Sequence, residues 1–170
     1  MLYQLPEDGK RYTLHEDALQ AYLQCRLDDL LAGRVLENPV KVAAVDREVQ
    51  VAYRSRFDLK VKAPKLGGGL ATCILEVKWS HNDTMATALS GQLKPYLTEN
   101  EYSCGIYLVG WDGVLGSWPE TLGSPPGTAN PEWLTEQLAT QAKRCEEQNP
   151  GLRIHPIVLD FCWNRTAERS

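Results

Sequence analysis

Two runs of sequence and the turn between them decide how this chain is read. They are Phe57-Asp58-Leu59-Lys60-Val61-Lys62-Ala63, the turn-rich Pro64-Lys65-Leu66-Gly67-Gly68-Gly69, and Ala71-Thr72-Cys73-Ile74-Leu75-Glu76-Val77-Lys78-Trp79. Both runs alternate with period two, the signature of a half-buried strand, and the glycine-rich link between them predicts a hairpin. Parity puts Arg54, Arg56, Asp58, Lys60 and Lys62 on one face of the first run and Phe57, Leu59, Val61 and Ala63 on the other. In the second run Thr72, Ile74, Glu76 and Lys78 share a face, opposite Cys73, Leu75, Val77 and Trp79. Hairpin pairing then makes Asp58 and Glu76 near neighbours, with Lys78 one same-face position further on.

Upstream, Val45 to Tyr53 reads as a further strand, so that three consecutive strands form antiparallel hairpins. Before it, Leu19, Tyr22 or Leu23, Leu27, Leu30 and Leu31 recur at helical spacing. They predict an amphipathic helix over about 14–32, opened by a Thr13–Glu16 capping box and closed at Gly33. Downstream, a helix is predicted from about Thr84 to Leu97, capped by Asn82 or Asp83 and kinked by Pro95, whose ring would crowd the Gly91 carbonyl. Gly105 to Gly110 is apolar on both faces, the pattern of a buried, parallel strand. Asn130 as N-cap with Pro131 behind it opens a helix to about Glu147, and Ile154 to Phe161 makes a last strand. The fold class is therefore α/β, a mixed sheet with helices against it, in a single domain of 170 residues.

Composition narrows the function. The longest stretch without a charged side chain is the eleven residues from Thr121 to Pro131, too short to cross a bilayer, and the acidic N-terminal stretch lacks the apolar core of a secretion signal. A cytoplasmic protein with no membrane partner is expected. The five cysteines are scattered, odd in number and form no CxxC pair, so they read as buried reduced thiols. No phosphate-binding GxxxxGK[ST] or GxGxxG loop is present, nor a GxSxG elbow. The formal net charge of −4 hides an uneven distribution: −3 over residues 1–40, +4 over 41–78 and −5 over 79–170.

The basic window is also where the two carboxylates meet. Asp58 and Glu76, with the Val77 carbonyl, could hold a hard divalent cation, Mg²⁺ or Mn²⁺, for phosphodiester hydrolysis. Lys78 could position the water or stabilise the developing charge, and Arg54, Arg56, Lys60 and Lys62 could hold flanking phosphates. On spacing alone, an ordinary cross-strand ion pair explains the same three residues. The following helix tips the balance: Met85, Ala88, Leu89, Gln92 and Tyr96 form one stripe, and an amide and a phenol facing a sheet need polar partners.

The series Phe57-Asp58, Leu75-Glu76-Val77-Lys78, Gly91-Gln92-Leu93-Lys94-Pro95-Tyr96-Leu97 and Gly105-Ile106-Tyr107-Leu108-Val109 resembles the PD-(D/E)xK nuclease superfamily, in its RecB-like branch with a Gln-x-x-x-Tyr helix. The resemblance covers roughly residues 14–110. It implies a restriction-endonuclease-like core (α-β-β-β-α-β), to which a helix and a strand over about 130–162 are added. It also implies metal binding by Asp58 and Glu76, catalytic assistance by Lys78 and supporting roles for Gln92 and Tyr96 in a nuclease acting on DNA. Glu48 is a candidate further acidic ligand, with an edge ion pair as its alternative, and Glu37 is another candidate near the first helix. More loosely, the chain is similar to nuclease-like modules of larger bacterial proteins with NTPase parts, some in phage defence. The alternative function is a non-catalytic nucleic-acid-binding or assembly module, and cutting both strands of a duplex would call for a homodimer.

Overall fold

The computed structural model describes residues 16–34, 44–50, 56–65 and 67–162, with the side chains of 28–34, 44, 47–50 and 56–57 left aside. Helix α1 spans Glu16–Arg34 and is followed by strands β1 (Ala44–Gln50), β2 (Arg56–Pro64) and β3 (Leu70–Trp79). A helical segment leads to β4 (Cys104–Trp111), and α4 (Pro131–Gln148) leads to β5 (Arg153–Asp160). The five strands form one sheet in chain order, β1-β2-β3-β4-β5. Pairing is antiparallel from β1 to β3, as the hairpin reading expects, and parallel from β3 to β5. β3 is thus the seam between a hairpin half and a crossover half.

Parity distributes the core over both faces of the sheet. Leu59, Leu75, Val77, Trp79 and Leu108 pack with Leu19 and Leu23 of α1 on one face. Ile74, Tyr107 and Val109 pack on the other with the crossover helices, through Met85, Leu89, Leu93, Leu97, Leu134 and Leu138. Both crossovers lie on one face because β4 and β5 are each added in the same direction along the sheet and parallel crossovers keep one hand. α4 begins as its sequence predicts, with Asn130 Oδ1 accepting the Trp133 N–H at 2.8 Å and Pro131 in the first turn.

Four local expectations change. The first helix extends past Gly33 to Arg34, so Gly33 is helical rather than a terminator. Thr84 precedes the second helical segment with no side-chain cap; Asn82 instead accepts the Thr84 N–H through its own Oδ1, at 2.9 Å. The single kinked helix is resolved into α2 (Met85–Ala88), a π-turn (Leu89–Leu93) and α3 (Lys94–Glu99). In the π-turn the Lys94 N–H reaches back to the Leu89 carbonyl, and this wider turn takes up the clash that Pro95 would make in a regular helix. Of the cysteines, Cys145 alone is buried; Cys73 and Cys104 are half-buried, Cys25 and Cys162 exposed, and none forms a disulfide. Thr13 lies outside the described residues.

The helices approach β4 through its glycines. A Cβ on Gly105 would stand 2.6 Å from Leu97 Cδ1, and one on Gly110 would stand 2.7 and 2.8 Å from two ring carbons of Trp79. The Trp79 indole is rigid and buried, so it cannot retreat as a flexible chain end could. Gly110→Ala is expected to destabilise the protein by about 1–3 kcal/mol, read as a lowered urea midpoint with unchanged m-value.

Candidate functional site

The ladder between β2 and β3 stops at Leu59↔Leu75, although the same register would set Asp58 opposite Glu76. β2 stays paired with β1 beyond that point, at Val49↔Phe57 and Gln50↔Arg56. The two strands therefore fork, and the N–H of Val77 is left without a strand partner on that side. Asp58 supplies one: its Oδ2 accepts the Val77 N–H at 2.7 Å. A side chain thus replaces a ladder bond and stands beside Glu76, as the hairpin register predicts.

Glu76 and Lys78 follow Ile74 on the same face of β3 and are nearly inaccessible, with side chains 4% and 7% exposed. Lys78 Nζ donates to Glu76 Oε1 at 2.8 Å and to Glu16 Oε1 at 2.9 Å. Glu16 Oε2 in turn accepts from Asn82 Nδ2 at 3.0 Å, so the first residue of α1 is tied to the end of β3 and to the turn after it. The sequence reading placed Glu16 in a helix cap and missed this role. A signal was present, because Glu16 shares the sheet-facing stripe of Leu19, Leu23 and Leu27 at helical spacing.

The electrostatics follow from three carboxylates around one ammonium. Burial first, and then the Asp58 charge, push the Glu76 carboxyl up to about 7, while Lys78 pulls it the other way. Burial lowers the Lys78 pKa, but Glu76, Glu16 and Asp58 outweigh it and hold the ammonium above its ordinary value. Lys78 is therefore a fixed positive charge and not a general base. Glu76 Oε2 is buried with no hydrogen-bond partner. An ionised carboxylate oxygen in that position calls for a proton or a cation.

Tyr107 of β4 lies beside the cluster with its hydroxyl donating to the Met85 carbonyl, and burial followed by the Glu76 charge pushes its pKa well up. From the helical segment, Gln92 is half-buried within the π-turn and its Oε1 is another buried oxygen without a partner. Tyr96 is half-buried and packs against the core of the crossover face. The basic residues are less available than expected. Lys60 Nζ donates to the Tyr102 hydroxyl at 2.6 Å, and Lys62 pairs with Asp46 at 2.9 Å across a partly exposed surface. Arg54 and Glu37 lie outside the described residues, as do the side chains of Arg56 and Glu48.

The turn after β3 carries a second polar group. His81 Nδ1 meets Asp112 Oδ2 at 2.7 Å, and Ser80 Oγ donates to Asp112 Oδ1 at 2.8 Å. His81 is thus fixed against Asp112, the residue after β4. Among the described residues no group of three His, Cys, Asp or Glu side chains could hold a metal ion by itself. None of their helices is long and apolar enough to cross a membrane.

Fold and site together define a five-stranded mixed α/β protein with a buried carboxylate–ammonium cluster at a forked hairpin. Compared with known proteins, the chain matches no family, no curated protein and no solved structure.

The raised Glu76 carboxyl makes stability pH-dependent. Its ordinary value is 4.5 and its folded value about 7, so between these the folded state binds more protons than the unfolded state. The stability it contributes is complete below 4.5 and is lost as pH rises through about 7. Urea unfolding of wild type and Glu76→Gln across this window should show the wild type losing up to roughly 1.4 kcal/mol per pH unit relative to the variant. Parallel curves for the two proteins would refute the assignment.

Proposed function

We propose that the chain is a metal-dependent nuclease of PD-(D/E)xK type, with a restriction-endonuclease-like core, hydrolysing DNA phosphodiester bonds. The observation that carries this reading is the charge imbalance at the fork, where three carboxylates gather on one ammonium and Glu76 Oε2 has no partner. A hard divalent cation meets that deficit. Mg²⁺ needs only one or two protein carboxylates, its remaining positions being filled by water and phosphate oxygens. Asp58 and Glu76, with the Val77 carbonyl, would hold it; Glu48, on β1, is the further candidate ligand. A cation bound there would polarise the scissile phosphate and lower the pKa of a water.

The remaining residues act through hydrogen bonds and fixed charge. Two of the three Lys78 N–H donors are held by Glu76 and Glu16, which leaves the third to stabilise the charge that develops on a phosphate oxygen. Because Lys78 stays protonated, its part is electrostatic rather than proton abstraction. Glu16 acts as a positioning residue, fixing the ammonium against β3. Gln92, with an unsatisfied amide oxygen, and Tyr96 would contact water or substrate from the helical side. Lys60, Lys62, Arg54 and Arg56 would meet flanking phosphates, for which the exposed Lys62–Asp46 pair has to open at little cost.

Supercoiled plasmid and labelled single strands, incubated with EDTA, Mg²⁺ or Mn²⁺, test the reading. Cleavage is expected only with metal, and Glu76→Ala or Lys78→Ala should lower it at least ~100-fold while leaving circular dichroism unchanged. Cleavage by Glu76→Ala at the wild-type rate would overturn it. Glu16→Gln is expected to cost about 10–100-fold, the usual effect of removing a group that orients a catalytic partner.

The internal partners of Lys60 and Lys62 favour one second reading, a non-catalytic assembly module of a larger bacterial system. Titration with Mn²⁺ separates the two, since the nuclease binds the cation through Glu76 and an assembly module gives no heat.

A further inference from the structure

Cys73 of β3 and Cys104 of β4 stand side by side. The parallel register sets Ile74 beside Gly105, so the residues one step earlier, Cys73 and Cys104, are also neighbours. Both side chains lie on the α1 face. Cys73 packs against the cluster of Leu59, Leu75 and Leu23, and Gly105, the next residue after Cys104, presents its Cα hydrogen to Leu93 and Leu97 on the opposite face. Their sulfurs are 3.2 Å apart and share a hydrogen bond. Both are half-buried and therefore reachable by a small reagent, whereas Cys145 is buried in the other core.

We propose that Cys73 and Cys104 are a reversible dithiol/disulfide couple, oxidised by a low-molecular-weight disulfide such as glutathione disulfide. Neighbouring strands hold their Cα atoms at about 4.8 Å, inside the span that a disulfide bridges, and the sulfurs need to approach by only about 1.1 Å. The Cys104 thiolate attacks one sulfur of glutathione disulfide, forming a mixed disulfide and releasing one glutathione thiolate. Cys73 then gives up its proton and attacks the Cys104 sulfur, forming the protein disulfide and releasing the second glutathione. Two protein thiols are oxidised and one glutathione disulfide is reduced. Burial, and then the Cys104 sulfur beside it, push the Cys73 thiol far up, which suits it to the second, intramolecular step where proximity replaces acidity.

The ring so closed runs from residue 73 to residue 104 and encloses Glu76, Lys78, Gln92 and Tyr96. The couple does not depend on what those residues catalyse.

The test is equilibration of the folded full chain in glutathione buffers of increasing disulfide content, followed by acid quench, non-reducing peptide mapping and intact mass. A linked Cys73–Cys104 peptide is expected, about 2 Da lighter than its two thiol peptides together and reversed by glutathione, while exposed Cys25 and Cys162 carry glutathione adducts instead. Cys73→Ser should trap the mixed disulfide on Cys104, and Cys104→Ser should leave Cys73 unmodified. Free thiols or separate adducts at Cys73 and Cys104, in wild type whose Cys25 and Cys162 are already modified, would overturn the proposal. The wild-type result decides the matter even if a serine variant fails to fold.

Discussion

An ammonium group buried at the centre of a sheet is tolerable only when carboxylates surround it, and the structure is arranged around meeting that demand at Lys78. Of its two partners, Glu76 lies two residues away on the same strand, and Glu16 comes from the start of α1. The second bond is what fixes α1 over the carboxyl end of β3, with Asn82 extending the tie into the next turn. Removing one partner would leave the ammonium with fewer counter-charges in a largely buried place. The cluster is thus structural and chemical at once, and its geometry is set by elements that pack on opposite faces of the sheet.

Asp58 joins this cluster where two strands part. A continued β2–β3 ladder would satisfy the Val77 amide without Asp58. Forking exchanges ladder pairing for side-chain pairing, and the loss is confined because β1 continues to hold β2. On the crossover side the same region is closed by α2, the π-turn and α3, which sit close to the sheet because Gly105 has no side chain. The π-turn therefore answers two constraints together, the ring of Pro95 and the approach of Leu93 and Leu97 to the β4 backbone.

What the sequence discloses is what neighbours in the chain determine. Alternation and the Gly67–Gly69 turn specify the β2–β3 register, and so the meeting of Asp58 with Glu76. Asn130 and Pro131 specify the start of α4 in the same way. Glu16 was legible as half of a capping box with Thr13; its bond to Lys78 joins positions 62 residues apart, and no local pattern encodes that distance. Pro95 announced a disturbance in its helix, but the choice of a π-turn over a bend depends on β4 packing beneath it. The cysteines show the same limit: parity gives the face of Cys73, whereas its partner follows only from a parallel register set by a crossover. The basic stripe follows from strand parity, and parity does not reveal that Tyr102 and Asp46 engage Lys60 and Lys62.

The strand order has a consequence for how the chain reaches this state. Because the sheet follows the order of the sequence, every strand is added to the outer edge of those already present, and none is threaded between two earlier ones. Synthesis delivers the elements in the order in which they dock. The hairpin half, with its short loop closures, can assemble first, and the slower parallel additions then grow on β3 as a template. The seam strand is exposed along one edge until β4 arrives, so the interval between those two events is when the nascent chain is most open to pairing with the wrong partner.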